Sequence, residues 1–226
     1  MGKKYSYVGI SLIVLVFGIW VVKEFGSRNS SEKLAYLEIN GKPKKVPQFE
    51  FINQDQDTIN NKTYQDKVYV VEFFFATCPS ICPIMTDNLV EVQNEFYGNL
   101  EFGIASFTIN PEHDTVSVLA EYAEKHNIKH PNWHLLTGDQ TKIYKLANQG
   151  FNIYAAEDSN APGGFEHSGY FALVDKDGYI RCRKDEFGNP IVFYRGSVPH
   201  DAVNGEGEEA PQIDILIEDI QKLLNE

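Results

Sequence analysis

The chain is poor in cysteine: three residues in 226, Cys78, Cys82 and Cys182. An odd number cannot all pair within one chain, which excludes a disulfide scaffold and leaves room for one redox or metal pair plus a spare thiol. Positive charge is also scarce. Twenty basic residues face 32 acidic ones, for a formal net charge of -12. The first 28 residues hold four basic and one acidic residue, so the remainder has 16 against 31, a net of -15. Such a surface excludes a nucleic-acid partner, because a phosphate backbone demands a basic face; it serves solubility and can attract a cationic partner or metal ions. Internal repeats are absent.

Charge is missing altogether from Tyr5 to Val22 (YSYVGISLIVLVFGIWVV). A run of this length is about what a helix needs to cross a bilayer, roughly 17–25 residues. It exceeds a signal-peptide core, and no A-x-A cleavage pattern follows Val22. With Lys3 and Lys4 ahead of it, the positive-inside rule places the short N-terminus in the cytoplasm and the rest outside. The expected organisation is a membrane anchor over residues 1–28, a polar linker over 29–44 and one domain over 45–226, attached to the cell membrane by a single pass.

Within that domain strands and helices alternate. Phe49 and Phe51 alternate with polar neighbours, a turn follows at residues 53–57, and a short strand includes Thr58 and Ile59. Lys67 to Phe75 is nearly continuous in β-branched and aromatic residues, as in a central strand buried on both faces. Helices are expected from the Cys78–Cys82 region through Val92, over Thr115–His126 and over Thr141–Gln149, with strands at Phe102–Ile109 and Trp133–Leu136. A hairpin spans Gly169–Val174 and Tyr179–Arg183, and Lys184–Ala210 reads as irregular. An amphipathic helix carrying Ile213, Leu216, Ile217, Ile220, Leu223 and Leu224 closes the chain. This pattern is an α/β domain.

Cys78 and Cys82 stand where the buried strand gives way to a helix. Unpaired N–H groups and positive potential at a helix start favour thiolate, which is both nucleophile and metal ligand. The pair sits at i and i+4, so both sulfurs share one face if both lie in a helical turn. The pair can hold one ion, oxidise to a disulfide, or pack as two buried cysteines. His126, His130 and His134 are spaced by four, but Pro131 interrupts them and no H-E-x-x-H occurs, so surface or packing roles are expected. His113 reads as turn polarity, Met85 as core and Cys182 as a packed small residue.

The run Val70–Pro83 (VVEFFFATCPSICP) resembles the Sco/SenC family of copper-handling, thioredoxin-like proteins. So do Val46–Phe49, the Asn110–Thr115 segment (a D-P-x-x-D-T motif with Asn110 in place of the first Asp), Leu135–Gly138, Glu166–Ser168 and Leu216–Ile220; together they span about residues 45–224. The resemblance implies a thioredoxin-like central sheet flanked by helices, and copper held by Cys78, Cys82 and His167, the last brought in by a loop beside Gly163 and Gly164. It implies a metallochaperone rather than a catalyst, delivering copper to the dinuclear copper centre of cytochrome c oxidase during its assembly. The copper-bearing subunit, or another copper or thiol protein, is the partner. The alternative is a membrane-anchored thiol-disulfide oxidoreductase that keeps target cysteines reduced through Cys78 and Cys82. Thiolates suit Cu(I) and imidazole either oxidation state. A peroxidase is disfavoured, because Thr77 directly precedes Cys78 instead of standing three residues ahead. Val198–Ala210 departs from the family as an acidic insertion.

Overall fold

The computed structural model describes residues 15, 17, 33–185, 187–203 and 209–226. Two compact units are present, Met1–Lys33 and Leu34–Glu226. In the first only Leu15 and Phe17, both helical, and the closing Lys33 are described, so the anchor expected over residues 5–22 lies outside the described residues apart from those two positions. Among those that are described, no helix is long and apolar enough to cross a membrane.

The second unit is built on one mixed sheet. Its elements in chain order are β1 (Ala35–Tyr36), β2 (Glu38–Ile39), β3 (Lys42–Pro43), β4 (Glu50–Asn53), β5 (Thr58–Asn60), β6 (Val68–Phe74), α1 (Cys82–Glu95), β7 (Phe102–Thr108), α2 (Val116–Lys125), β8 (Trp133–Thr137) and α3 (Gln140–Lys145). There follow β9 (Ala155–Glu157), β10 (Phe165–His167), β11 (Tyr170–Val174), β12 (Ile180–Lys184), β13 (Pro190–Ile191), β14 (Tyr194–Arg195) and α4 (Ile213–Leu224). The strand order is β1-β12-β11-β6-β7-β8-β4-β5. β6, β7 and β8 run parallel, joined through α1 and α2. Antiparallel strands extend both sides, β11 against β6 and β4 against β8.

Every residue of β6 and β7 is buried, as an interior parallel strand requires. An aromatic cluster of Phe49, Phe51, Phe73, Phe107 and Phe151 fills one region of the core, with ring centroids 5.3–6.2 Å apart. α4 buries Ile213, Leu216, Ile220 and Leu223, the apolar stripe read from its spacing.

Three expectations need correction. The packed unit begins at Leu34, not at residue 45: Leu34 is buried, Ala35 pairs with Cys182, and the Arg181 guanidinium donates to the Leu34 carbonyl. Two-residue strands such as β1–β3 are too short to carry a periodic pattern, which is why residues 34–44 read as linker. The same reason hid β13 and β14 within the stretch taken as irregular. Finally, the helix expected over Thr141–Gln149 is α-helical only to Lys145 and continues as a π-helical turn over Leu146–Phe151.

Candidate metal centre

β6 delivers the cysteine turn. The chain leaves the sheet at Phe75, whose carbonyl accepts the Cys78 N–H at 3.1 Å, and α1 starts at Cys82. Pro83 sits in the first helical turn, where a missing N–H costs nothing. The two cysteines therefore do not share a helical turn as expected: Cys82 opens the helix and Cys78 lies in the turn before it. Their sulfurs still converge. The helix has no side-chain oxygen cap, and its leading N–H, from Cys82, points at the Cys78 sulfur at 3.5 Å.

His167 comes from the far end of the chain. It closes β10, which pairs with β9 so that His167 stands opposite Ala155. The expected swinging loop is thus a hairpin that holds the imidazole in place, with Nε2 3.2 Å from the Cys82 sulfur. Phe75 packs beneath, its ring centroid 5.2 Å from Phe165 and 5.8 Å edge-on to His167. The hairpin approaches the cysteine turn so closely that a Cβ on Gly163 would lie 2.8 Å from the Phe75 ring, and Gly163 also has a φ of +81°. Only glycine meets both conditions without strain.

The Sγ atoms of Cys78 and Cys82 and a ring nitrogen of His167 all lie within 4.8 Å of one another, the one such cluster among the described residues. Both cysteines are buried and free of a disulfide. Their protonation is split. Hydrogen bonds, first from the Cys82 side chain and then from His167 and backbone N–H groups, hold the Cys78 thiol well below its ordinary range. Burial, reinforced by the neighbouring Cys78 thiolate, pushes Cys82 up. The two shifts run in opposite directions, so the thiolate is favoured at Cys78 and the thiol at Cys82, whose proton a bound cation would displace.

The remaining candidates behave as structural residues. His134 Nδ1 lies 3.2 Å from the Asn53 amide, His130 accepts the Asn132 N–H at 3.1 Å, and His126 stacks on Tyr122 at 4.2 Å. Met85 and Cys182 are fully buried, and His113 pairs with Asp114 at 2.8 Å.

Two buried carboxylates lie near the centre. One is Asp114, fully buried at the turn before α2. The other is Glu72 on β6, which accepts the Ser106 hydroxyl at 2.6 Å while its second oxygen has no partner among the described residues. Its sign was visible as the single acid in an apolar run. Burial raises the Glu72 carboxyl to about 7, against an ordinary 4.5. A raised carboxyl favours the folded state fully below pH 4.5, and that contribution is lost as pH rises through 7. Glu72→Gln is therefore expected to gain stability over the wild type between pH 4 and pH 8, by on the order of 3 kcal/mol. Urea unfolding at both pH values checks this; an unchanged difference between the two proteins would refute it.

With the geometry in place, comparison with known proteins is informative. The SCO1/SenC family model matches residues 38–193. The SCO1 protein homolog of Bacillus subtilis is 30% identical over 140 residues, covering 60% of this chain and 70% of that protein. The solved structure of BsSco, described as a member of the Sco family of cytochrome c oxidase assembly proteins with a disulfide switch, superposes with a TM-score of 0.64 at 25% identity. That match covers 80% of this chain and 94% of the other. ScoI of Bradyrhizobium japonicum, solved with copper bound, shares the fold at a TM-score of 0.58 and 17% identity, over 80% of this chain and 99% of its own. A family match over more than two-thirds of the sequence and a thioredoxin-like fold shared with Sco structures lead to one conclusion: this chain belongs to the SCO1/SenC family.

Proposed function

We propose that this protein binds a single copper ion through Cys78, Cys82 and His167 and passes it, as cargo, to the copper-bearing subunit of cytochrome c oxidase during assembly. The observation that carries the reading is the convergence of two sulfurs and one imidazole nitrogen within 4.8 Å. Thiolates are soft donors that select Cu(I), while imidazole accommodates either oxidation state. Among the described residues three protein donors are gathered, which leaves room for a ligand from the recipient during transfer. Copper-bound ScoI supports the reading at the level of the fold, and the assembly context of BsSco supports the destination.

The expected setting is the outer face of the cell membrane, with residues 5–22 as the anchor. The argument for it is the uncharged 18-residue run behind Lys3 and Lys4.

Titration of the reduced, metal-free protein with Cu(I) against a competing chelator tests the proposal. One ion per chain is expected, and no uptake would end it. A second reading, exchange of thiols and disulfides with target cysteines, draws on the split pair itself: a stabilised thiolate at Cys78 with a thiol beside it is the arrangement of an attacking and a resolving sulfur. His167→Ala separates the two. Loss of oxidase assembly in that variant favours copper carriage, and full retention favours thiol exchange.

A further inference from the structure

The Asn110–Thr115 segment drew attention in the sequence, yet none of its residues is a donor in the centre. Asp114 has no exposed side-chain surface. Its Oδ2 accepts the Ala76 backbone N–H at 2.9 Å and the Thr108 hydroxyl at 2.5 Å, while Oδ1 lies 2.8 Å from His113 Nδ1. The turn that presents this carboxylate is itself fixed, because the Asp114 N–H donates to the Asn110 carbonyl at 2.9 Å.

The position of Ala76 gives the contact its significance. Phe74 still belongs to the sheet, its carbonyl accepting the Ile109 N–H at 2.8 Å. Phe75 already belongs to the cysteine turn through its bond to Cys78. Ala76 lies just past this point of departure, two residues before Cys78, and its N–H has Asp114 as partner. A buried carboxylate is costly unless several donors satisfy it. Charge-assisted bonds are shorter and stiffer than neutral ones, which suits a group whose task is to fix a direction.

We propose that Asp114 is a positioning residue for the centre: by gripping Ala76 it sets the angle at which the turn leaves β6, and so where the Cys78 sulfur stands relative to Cys82 and His167. The inference rests on the copper reading for its metal readout, and a metal-free readout makes it separable from that reading.

The experiment compares Asp114→Ala, Asp114→Asn and a control, Tyr194→Phe, in the full chain. The control removes a hydrogen bond to Asp219 and touches none of the three donors. Two quantities are read: Cu(I) affinity by chelator competition, and the rate at which iodoacetamide modifies Cys78 in reduced, metal-free protein, assigned by mass spectrometry. Residues that orient metal ligands typically change affinity by about 10–100-fold when lost, and D114A is expected to fall in that range, with a Cys78 rate changed by roughly threefold or more. D114N keeps one oxygen for the Ala76 N–H and is expected to lie between, about threefold below wild type in affinity. Y194F should leave both quantities unchanged while lowering Tm.

Wild-type affinity and rate in folded D114A would overturn the proposal, as would the same changes in Y194F. Were D114A to unfold, D114N decides, and an unchanged affinity and rate there would overturn it. If the wild type bound no copper but the Cys78 rate still shifted in D114A and not in Y194F, the copper reading would fail and the positioning role would stand.

Discussion

Serine at position 78 or 82 is expected to weaken Cu(I) binding by roughly a hundredfold or more while the fold survives. Structural zinc sites of comparable donor number bind with about 10–16 kcal/mol; taken as a scale for this site, each of three or four donors contributes about 3 kcal/mol, and each 1.4 kcal/mol is a factor of ten. A serine hydroxyl neither ionises near neutral pH nor offers a soft donor, so that share is lost outright. The two positions differ in kind. Hydrogen bonds from its neighbours favour thiolate at Cys78, so C78S also removes the more readily ionised donor of the pair. Burial favours the protonated form at Cys82, so binding there displaces a proton. Cys182 is the internal control: it is buried in β12, outside the donor cluster, and C182S should bind copper like the wild type. Chelator competition on the three variants measures this. Equal affinity in C82S and wild type would contradict the assignment.

The second large effect concerns stability. Asp219 on α4 has no exposed side-chain surface and receives four donors: Arg183 Nε at 2.8 Å, Arg183 Nη2 at 2.6 Å, the Tyr194 hydroxyl at 2.8 Å and Lys222 Nζ at 3.3 Å. It thereby fastens the last helix to β12 and β14. Removing one partner of a buried pair costs about 3–5 kcal/mol, because the other charge stays behind without compensation. Arg183 retains Glu218 at 2.9 Å and is partly exposed, which places Asp219→Ala near the lower end, about 3 kcal/mol. Urea unfolding should show a lower midpoint at an unchanged slope. A loss under about 1 kcal/mol would mean that the cluster is merely tolerated.

The sequence made the frame of this fold legible because its strongest signals are buried periodicities. The apolar run ending at Phe75, the stripe of α4 and the hairpin around Asp175–Gly178 all depend on burial that composition reveals directly. The cysteine pair was readable from its place between strand and helix. His167 was not readable in that way. Its ring reaches Cys82 across 85 positions through a hairpin whose strands are three residues each, and only the family resemblance pointed to it. The exact relation of the two sulfurs was also out of reach, since i, i+4 spacing suggests a shared helical face and the chain instead starts its helix at the second cysteine. Glu72 and Asp114 show the complementary difficulty. An acid's letter does not disclose burial, and the groups that bond to these two, Ser106 on one oxygen of the first and Ala76 and Thr108 on the second, lie on other segments.

Copper carriage requires that Cys78, Cys82 and His167 act together on one ion. X-ray absorption at the copper edge of the copper-loaded protein, wild type against His167→Ala, addresses it most directly. One copper per chain is expected, with two sulfur donors and an imidazole nitrogen in the wild type, and loss of the imidazole scattering with both sulfurs kept in the variant. An identical spectrum in the two proteins, or a wild type with fewer than two sulfur donors, would contradict it.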